Sequence, residues 1–236
     1  EVRPVTMAKL QVDKLLDQCD TLMFDMDGTL LDLAFDNYMW LHHIPSAYAI
    51  NRGIAHSAAR DELYGHYRRL QGQLDWYCLD HWSEHLGIDV LALHRDEHHR
   101  IDWLPGAREL LEALSGSGVR LLLVTNSHPD TLDVKSEVTG ITRYFDCIYS
   151  SHEFGYAKED QGFWQALQQR ESFDLASTLF VDDSEPVLAS AARFGLDKLL
   201  AVTRPDSTRP VRSSERFTGI ERVADLKPGL IVRTGG

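Results

Sequence analysis

The sequence predicts an α/β protein: a doubly wound parallel sheet with an inserted helical cap. Three observations predict it. From about residue 105 onward, short apolar runs alternate with helical patterns, the signature of parallel strands joined by crossover helices. One further apolar run, Leu22-Met23-Phe24, stands far upstream of that series. Between the two, residues 33–102 change character and become rich in aromatics and histidine, with helical spacing and no strand pattern.

In chain order, 22–24 reads as a short buried strand. Helical spacing then marks 58–70 and 76–86, and Gly53, Gly72 and Gly87 punctuate the segment. Pro45 is expected to interrupt its first helix, giving a four-helix insertion. Pro105 suits the first turn of a helix ending near Leu114, before Gly116 and Gly118. Strands are expected at 119–124, 146–149, 178–181 and 198–202. Helices are expected at 130–138, 159–170 and 185–194, the last capped by Gly195. The tail from Arg204 is rich in Pro, Ser and Arg, with a short helix expected near 220–226. The implied organisation is a core of residues 1–32 and 103–236 with a helical cap of 33–102.

Bulk composition narrows the function classes. The chain has 236 residues and a formal charge of −12, which argues against a nucleic-acid polymer as partner, since that needs a basic face. No apolar run approaches the ~20 residues of a membrane helix. Residues 1–7 lack a signal-peptide pattern. Cys19, Cys78 and Cys147 are odd in number and widely spaced, which points to a reducing, cytoplasmic setting.

In open α/β sheets, ligands bind beyond the carboxyl ends of the strands. The first apolar run ends in Asp25-Met26-Asp27-Gly28-Thr29, the second in Thr125-Asn126, and that at 178–181 in Asp182-Asp183; Lys158 follows the third strand. Taken singly these are turns, caps or surface residues. Together they converge on one sheet edge. Two carboxylates two residues apart can divide roles: one held ionised to attack phosphorus, the other protonated to serve the leaving oxygen. Oxygen-only ligands suit Mg²⁺. Thr125, the Asn126 amide and Lys158 can hold phosphate oxygens.

These strings resemble the four motifs of the haloacid dehalogenase-like hydrolases, whose core is Rossmann-like, over nearly the whole chain. The resemblance implies Asp25 as nucleophile and Asp27 as general acid/base, its backbone carbonyl also on Mg²⁺. It implies Asp183 as a direct metal ligand with Asp182 behind it, and Thr125 and Lys158 on the phosphoryl group. Asp27 marks phosphatases rather than dehalogenases. Ala157 and Glu159 flank Lys158 where the family often has proline, and Glu159 could pair with Lys158. Residues 31–38, 75–80, 125–129 and 154–156 resemble the bacterial GMP/IMP 5′-nucleotidase branch. That implies a purine mononucleotide as the small-molecule partner, with Asp36, Asn37, Tyr38, Trp76, Tyr77 and His128 as specificity candidates beside Phe35, Trp40 and Ser127. Phosphoglycolate-type and sugar-phosphate phosphatases and a phosphomutase are alternatives within the family. From another class, His81, Glu84 and His85 fit the H-x-x-E-H pattern of zinc peptidases, read here as a polar helix face. His94 and His98 are likewise read as a solvated face.

Overall fold

The structure, a computed structural model, describes Val12, Leu15 and residues 18–226. A six-stranded sheet forms its centre, built from β1 (Thr21–Phe24), β2 (Arg120–Thr125), β3 (Cys147–Ser150), β4 (Thr178–Asp182), β5 (Lys198–Val202) and β6 (Thr218–Ile220). The spatial order is β3-β2-β1-β4-β5-β6, and every neighbouring pair is parallel. The strands are near-continuous apolar runs because both sheet faces are covered. Leu22, Phe24, Leu179 and Val181 enter one buried cluster. Met23, Phe180, Leu122 and Val124 enter the other, as the alternation of side chains across a strand requires.

β1 lies between β2 and β4, where the strand order reverses. Phe24 pairs with Leu123 on one side and Val181 on the other. This register puts Asp25, Thr125 and Asp182 at one edge of the sheet, the switch point at which such folds bind ligands.

Between β1 and β2 the chain is helical. α1 (Ala34–Tyr38), a π-helical turn (Met39–His43) and α2 (Ile44–Arg52) run on without a break, so Pro45 does not interrupt this helix. The wide turn, closed by the Ile44 N–H on the Met39 carbonyl, leaves Pro45 in a first-turn position that needs no N–H. α3 (His56–Leu70), α4 (Leu74–Tyr77), α5 (Leu79–Leu86) and α6 (Val90–Asp96) complete the insertion. Its two connections lie side by side: Asp32 N–H donates to Asp102 O at 2.9 Å and Leu104 N–H to Leu30 O at 2.8 Å.

The remaining helices cover the sheet: α7 (Ala107–Leu114), α8 (Pro129–Thr139), α9 (Gln161–Arg170) and α10 (Glu185–Phe194). The tail differs from expectation. Residues 218–220 add a sixth strand, and among the described residues of the tail Val223–Asp225 alone forms a helical turn, of 3-10 type. No helix among the described residues is long and apolar enough to cross a membrane.

Candidate active site

Asp25 leaves the end of β1 with its N–H donating to Val181 O at 3.0 Å. Lys158, 2% exposed, reaches it from beyond β3. The Lys158 ammonium donates to Asp25 Oδ1 at 2.6 Å, Asp182 Oδ2 at 2.7 Å and Val124 O at 3.1 Å. Burial alone would lower the Lys158 pKa, but Asp182 and Asp25 outweigh it and raise it. Glu159 does not pair with Lys158. It accepts from Tyr77 OH at 2.6 Å and from Asn126 Nδ2 at 3.0 Å, while Asn126 Oδ1 accepts the Lys158 N–H at 2.9 Å. The departure from the proline-flanked pattern therefore leaves Lys158 directed at the carboxylates.

One carboxylate oxygen from each of Asp25, Asp182 and Asp183 lies within 4.8 Å of the other two. Burial, and repulsion among the acidic neighbours, push the Asp25 carboxyl well above its usual range even with Lys158 beside it. Asp183 is pushed up to about 7, first by burial and then by Asp182. This crowding is the electrostatic deficit a divalent cation removes, and an all-oxygen donor set fits Mg²⁺. Both Asp182 oxygens are engaged, by Lys158 and by the Ser184 N–H at 2.7 Å, which suits a supporting place. Asp183 Oδ2 meets Arg212 at 3.1 Å. Gly28, at φ +85°, lets the turn after Asp27 pass against Asp183, where a Cβ would fall 2.8 Å from its Cγ.

Asp27 has a different partner. Lys135 on α8, 1% exposed, donates to Asp27 Oδ1 at 2.6 Å and to both oxygens of Asp36 at 2.8 and 2.9 Å. Burial raises Asp27 to about 6 despite Lys135, so the two motif-one carboxyls sit in separate settings, one against Lys158 and one against Lys135. Sequence reasoning missed Lys135 and Arg212. Lys135 carried a signal, since it shares the buried stripe of α8 with Thr131 and Val134. Arg212 carried none.

Asp25, Asp27, Lys158, Asp182, Asp183 and Arg212 line one cavity of about 600 Å³, within the range of small-molecule sites; Lys135 does not line it. Thr125, Asn126, Ser127 and His128 contribute from the β2 end; Asp36, Asn37, Trp40, Trp76 and Tyr77 contribute from the insertion. Two specificity candidates fall outside its wall. Phe35 is buried within the insertion, edge-on to His94. Tyr38 stacks on His43 with the Arg100 guanidinium 3.8 Å over its ring. The Asn37 amide donates to Asp206 at 2.7 Å. His94 is not on a solvated face: it is buried, its Nδ1 2.8 Å from Val90 O, and burial drops its pKa to about 4. His81, Glu84 and His85 do not line the cavity.

A family model for haloacid dehalogenase-like hydrolases matches residues 19–195. The chain belongs to the haloacid dehalogenase-like hydrolases. The GMP/IMP nucleotidase YrfG of Escherichia coli K12 is 41% identical over 212 residues, covering 90% of this chain and 96% of that protein. A phosphoglycolate phosphatase of Agrobacterium fabrum is 28% identical, covering 88% and 91%. The crystal structure of a phosphatase of the same family from Thermococcus onnurineus superimposes with a TM-score of 0.72 at 19% identity, covering 86% and 94%. For a haloacid dehalogenase-like hydrolase, the His81/Glu84/His85 pattern is a feature of the insertion's surface, which overturns the zinc-peptidase reading.

Proposed function

We propose that this hydrolase cleaves phosphate monoesters with Mg²⁺ through an aspartyl-phosphate on Asp25, and that its substrates are the purine nucleotides IMP and GMP. The observation that carries the reading is the placement of Asp25 and Asp27 in one cavity against two different buried lysines. An Asp25 oxygen attacks phosphorus, the bond from phosphorus to the ester oxygen breaks, and the Asp27 carboxyl gives its proton to the departing alkoxide. Water then attacks the acyl phosphate, Asp27 takes its proton, and phosphate leaves with the Asp25 carboxylate restored. Thr125, the Asn126 amide and Lys158 hold the phosphoryl oxygens. Asp25, Asp183 and the Asp27 carbonyl would hold Mg²⁺, with Asp182 behind them; bound there, it neutralises charge on the phosphoryl oxygens.

The purine assignment is supported by the likeness to YrfG and by the cavity wall, to which Trp40, Trp76 and Tyr77 contribute aromatic rings in mutual contact. His128 accepts the Asp130 N–H at Nδ1, so its Nε2 carries the proton and can donate to a purine O6. The test compares kcat/KM for IMP, GMP, AMP, CMP, a sugar phosphate and phosphoglycolate, with Mg²⁺ and with EDTA. IMP and GMP are expected to lead. If a sugar phosphate or phosphoglycolate beats both by about tenfold, more than one misfitted methylene is worth, the nucleotidase reading falls and the phosphatase reading stands.

A further inference from the structure

Resting on that reading, we propose that Lys135 is a positioning residue that holds the Asp27 carboxyl in place and, through Asp36, makes this placement depend on the seated insertion.

Lys135 projects from the buried stripe of α8 and is almost wholly removed from solvent. A buried ammonium costs several kcal/mol unless it is paired with good geometry. Here the pairing is divided. One carboxylate, Asp27, stands in the turn after β1; the other, Asp36, stands on α1 of the insertion. Among the described residues, Lys135 is the side chain that donates to Asp27, at 2.6 Å. The rotamer of the acid is therefore set by a group that does not line the cavity, whereas Lys158, which does, donates to Asp25 and not to Asp27.

The geometry has a conformational consequence. Asp36 lies four residues beyond Asp32, whose backbone joins the paired connections to the insertion. Movement of α1 away from α8 strips Lys135 of two of its three short contacts, and the buried cation is then free to follow either carboxylate. With α1 in place, the bidentate grip on Asp36 fixes Nζ, and Nζ fixes Asp27. Proton delivery to the ester oxygen is thereby tied to closure over the substrate, which is when water is excluded.

The experiment reads the first-turnover release of the leaving group in the full chain with Mg²⁺, using IMP and p-nitrophenyl phosphate. IMP releases an alkoxide that needs a proton; nitrophenolate leaves without one. Asp27→Asn is the reference: if it shows no preference for slowing IMP, the acid assignment itself has failed, whatever Lys135 does. With that reference intact, Lys135→Met is expected to slow release from IMP by ~10²-fold and nitrophenol release by less than about threefold, with KM for IMP little changed. Lys135→Arg is expected to recover at least about a tenth of the lost rate. Since Lys135→Met also strands two carboxylates, Asp36→Asn provides the second arm: it keeps the cation and should show the same leaving-group selectivity at smaller size. Equal loss on both substrates, or no loss in Lys135→Met and Asp36→Asn, overturns the proposal.

Discussion

Replacing Gly28 with alanine should cost more than replacing Gly53, because two penalties coincide at Gly28 and only one applies at Gly53. At φ +85° the backbone is left-handed, which costs a side-chain-bearing residue roughly 1–2 kcal/mol. The added Cβ would also lie 2.8 Å from Asp183 Cγ, 2.9 Å from Asp183 Oδ2 and 2.9 Å from Pro205 Cβ, and overpacking of this kind costs roughly 1–3 kcal/mol. The expected loss is about 2–5 kcal/mol in urea denaturation. Gly53 supplies the control: its φ is +63° and nothing lies within 4 Å of a Cβ there, so Gly53→Ala carries the backbone penalty alone. On the proposed reading Asp183 is a metal ligand, so displacing its carboxylate also weakens metal binding, and disturbed supports of metal ligands typically cost 10–100-fold in affinity. Gly28→Ala should therefore raise the Mg²⁺ concentration for half-maximal activity by about tenfold or more, while Gly53→Ala leaves it unchanged. Equal stability losses in the two variants, together with an unchanged Mg²⁺ requirement in Gly28→Ala, would refute the reasoning.

Three other outcomes are expected. Activity disappears in EDTA and returns with Mg²⁺; best recovery with Zn²⁺, abolished by Glu84→Ala, would contradict the all-oxygen site. Asp25→Asn abolishes the trappable phospho-enzyme, whereas Asp27→Asn slows turnover by ~10²–10⁴-fold; a phosphoryl group found on any other side chain sinks the assignment. The third concerns pH. Burial holds His94 near pKa 4 when folded, against 6.5 when exposed, so below pH 6.5 the unfolded chain takes up a proton that the folded one refuses. The stability contributed by neutral His94 is lost as pH falls from 6.5 toward 4, by up to about 3 kcal/mol. The raised carboxyls Asp27 and Asp183 act in the opposite sense over part of this range, so the difference between the wild type and His94→Gln is the quantity to measure. An identical acid limb in the two proteins contradicts a buried neutral histidine.

The strand-end residues were legible in the sequence because a buried parallel strand is a continuous apolar run, and the first polar residue after it marks the sheet edge. Asp25, Thr125 and Asp182 all fall at such boundaries. Lys135 was visible only as an anomaly, a cation on the apolar stripe of a helix whose partners lie 108 and 99 residues away. Arg212 was not visible at all. It approaches Asp183 because residues 204–217 fold back over the site, with its N–H on Thr203 O at 2.7 Å, and no local periodicity encodes such a return. The same limit applies to β6, whose three residues pair with β5 but carry no pattern of their own. Pro45 misled for the opposite reason: the local rule was sound, and a π turn met it without breaking the helix.

Charge cannot provide the choice of substrate on the proposed reading, because Lys158 and a metal at Asp25 and Asp183 serve any phosphate monoester alike. Discrimination falls to the neutral part of the wall. Trp76 is the side chain best placed to express it. It lines the cavity, and Trp40, which lines it too, stands 5.7 Å away at a 39° tilt, so the indole is held by a ring neighbour. Tyr77 is less free, since its hydroxyl is committed to Glu159. Stacking a base on an aromatic ring is worth ~1–3 kcal/mol where it has been measured in single-stranded nucleic-acid sites. Trp76→Ala should therefore lower kcat/KM for IMP by roughly 5- to 150-fold, the rate equivalent of that energy. Trp76 also packs against Tyr67 and Trp82, so a loosened insertion would lower activity as well. The two causes separate by substrate. Lost stacking penalises IMP and GMP and spares phosphoglycolate, which has no ring to stack, whereas a loosened insertion penalises all three. Trp76→Phe, which keeps a stacking face, should retain most of the preference. A parallel fall for IMP and phosphoglycolate in Trp76→Ala would remove this residue from recognition and leave His128 and Trp40 to account for it.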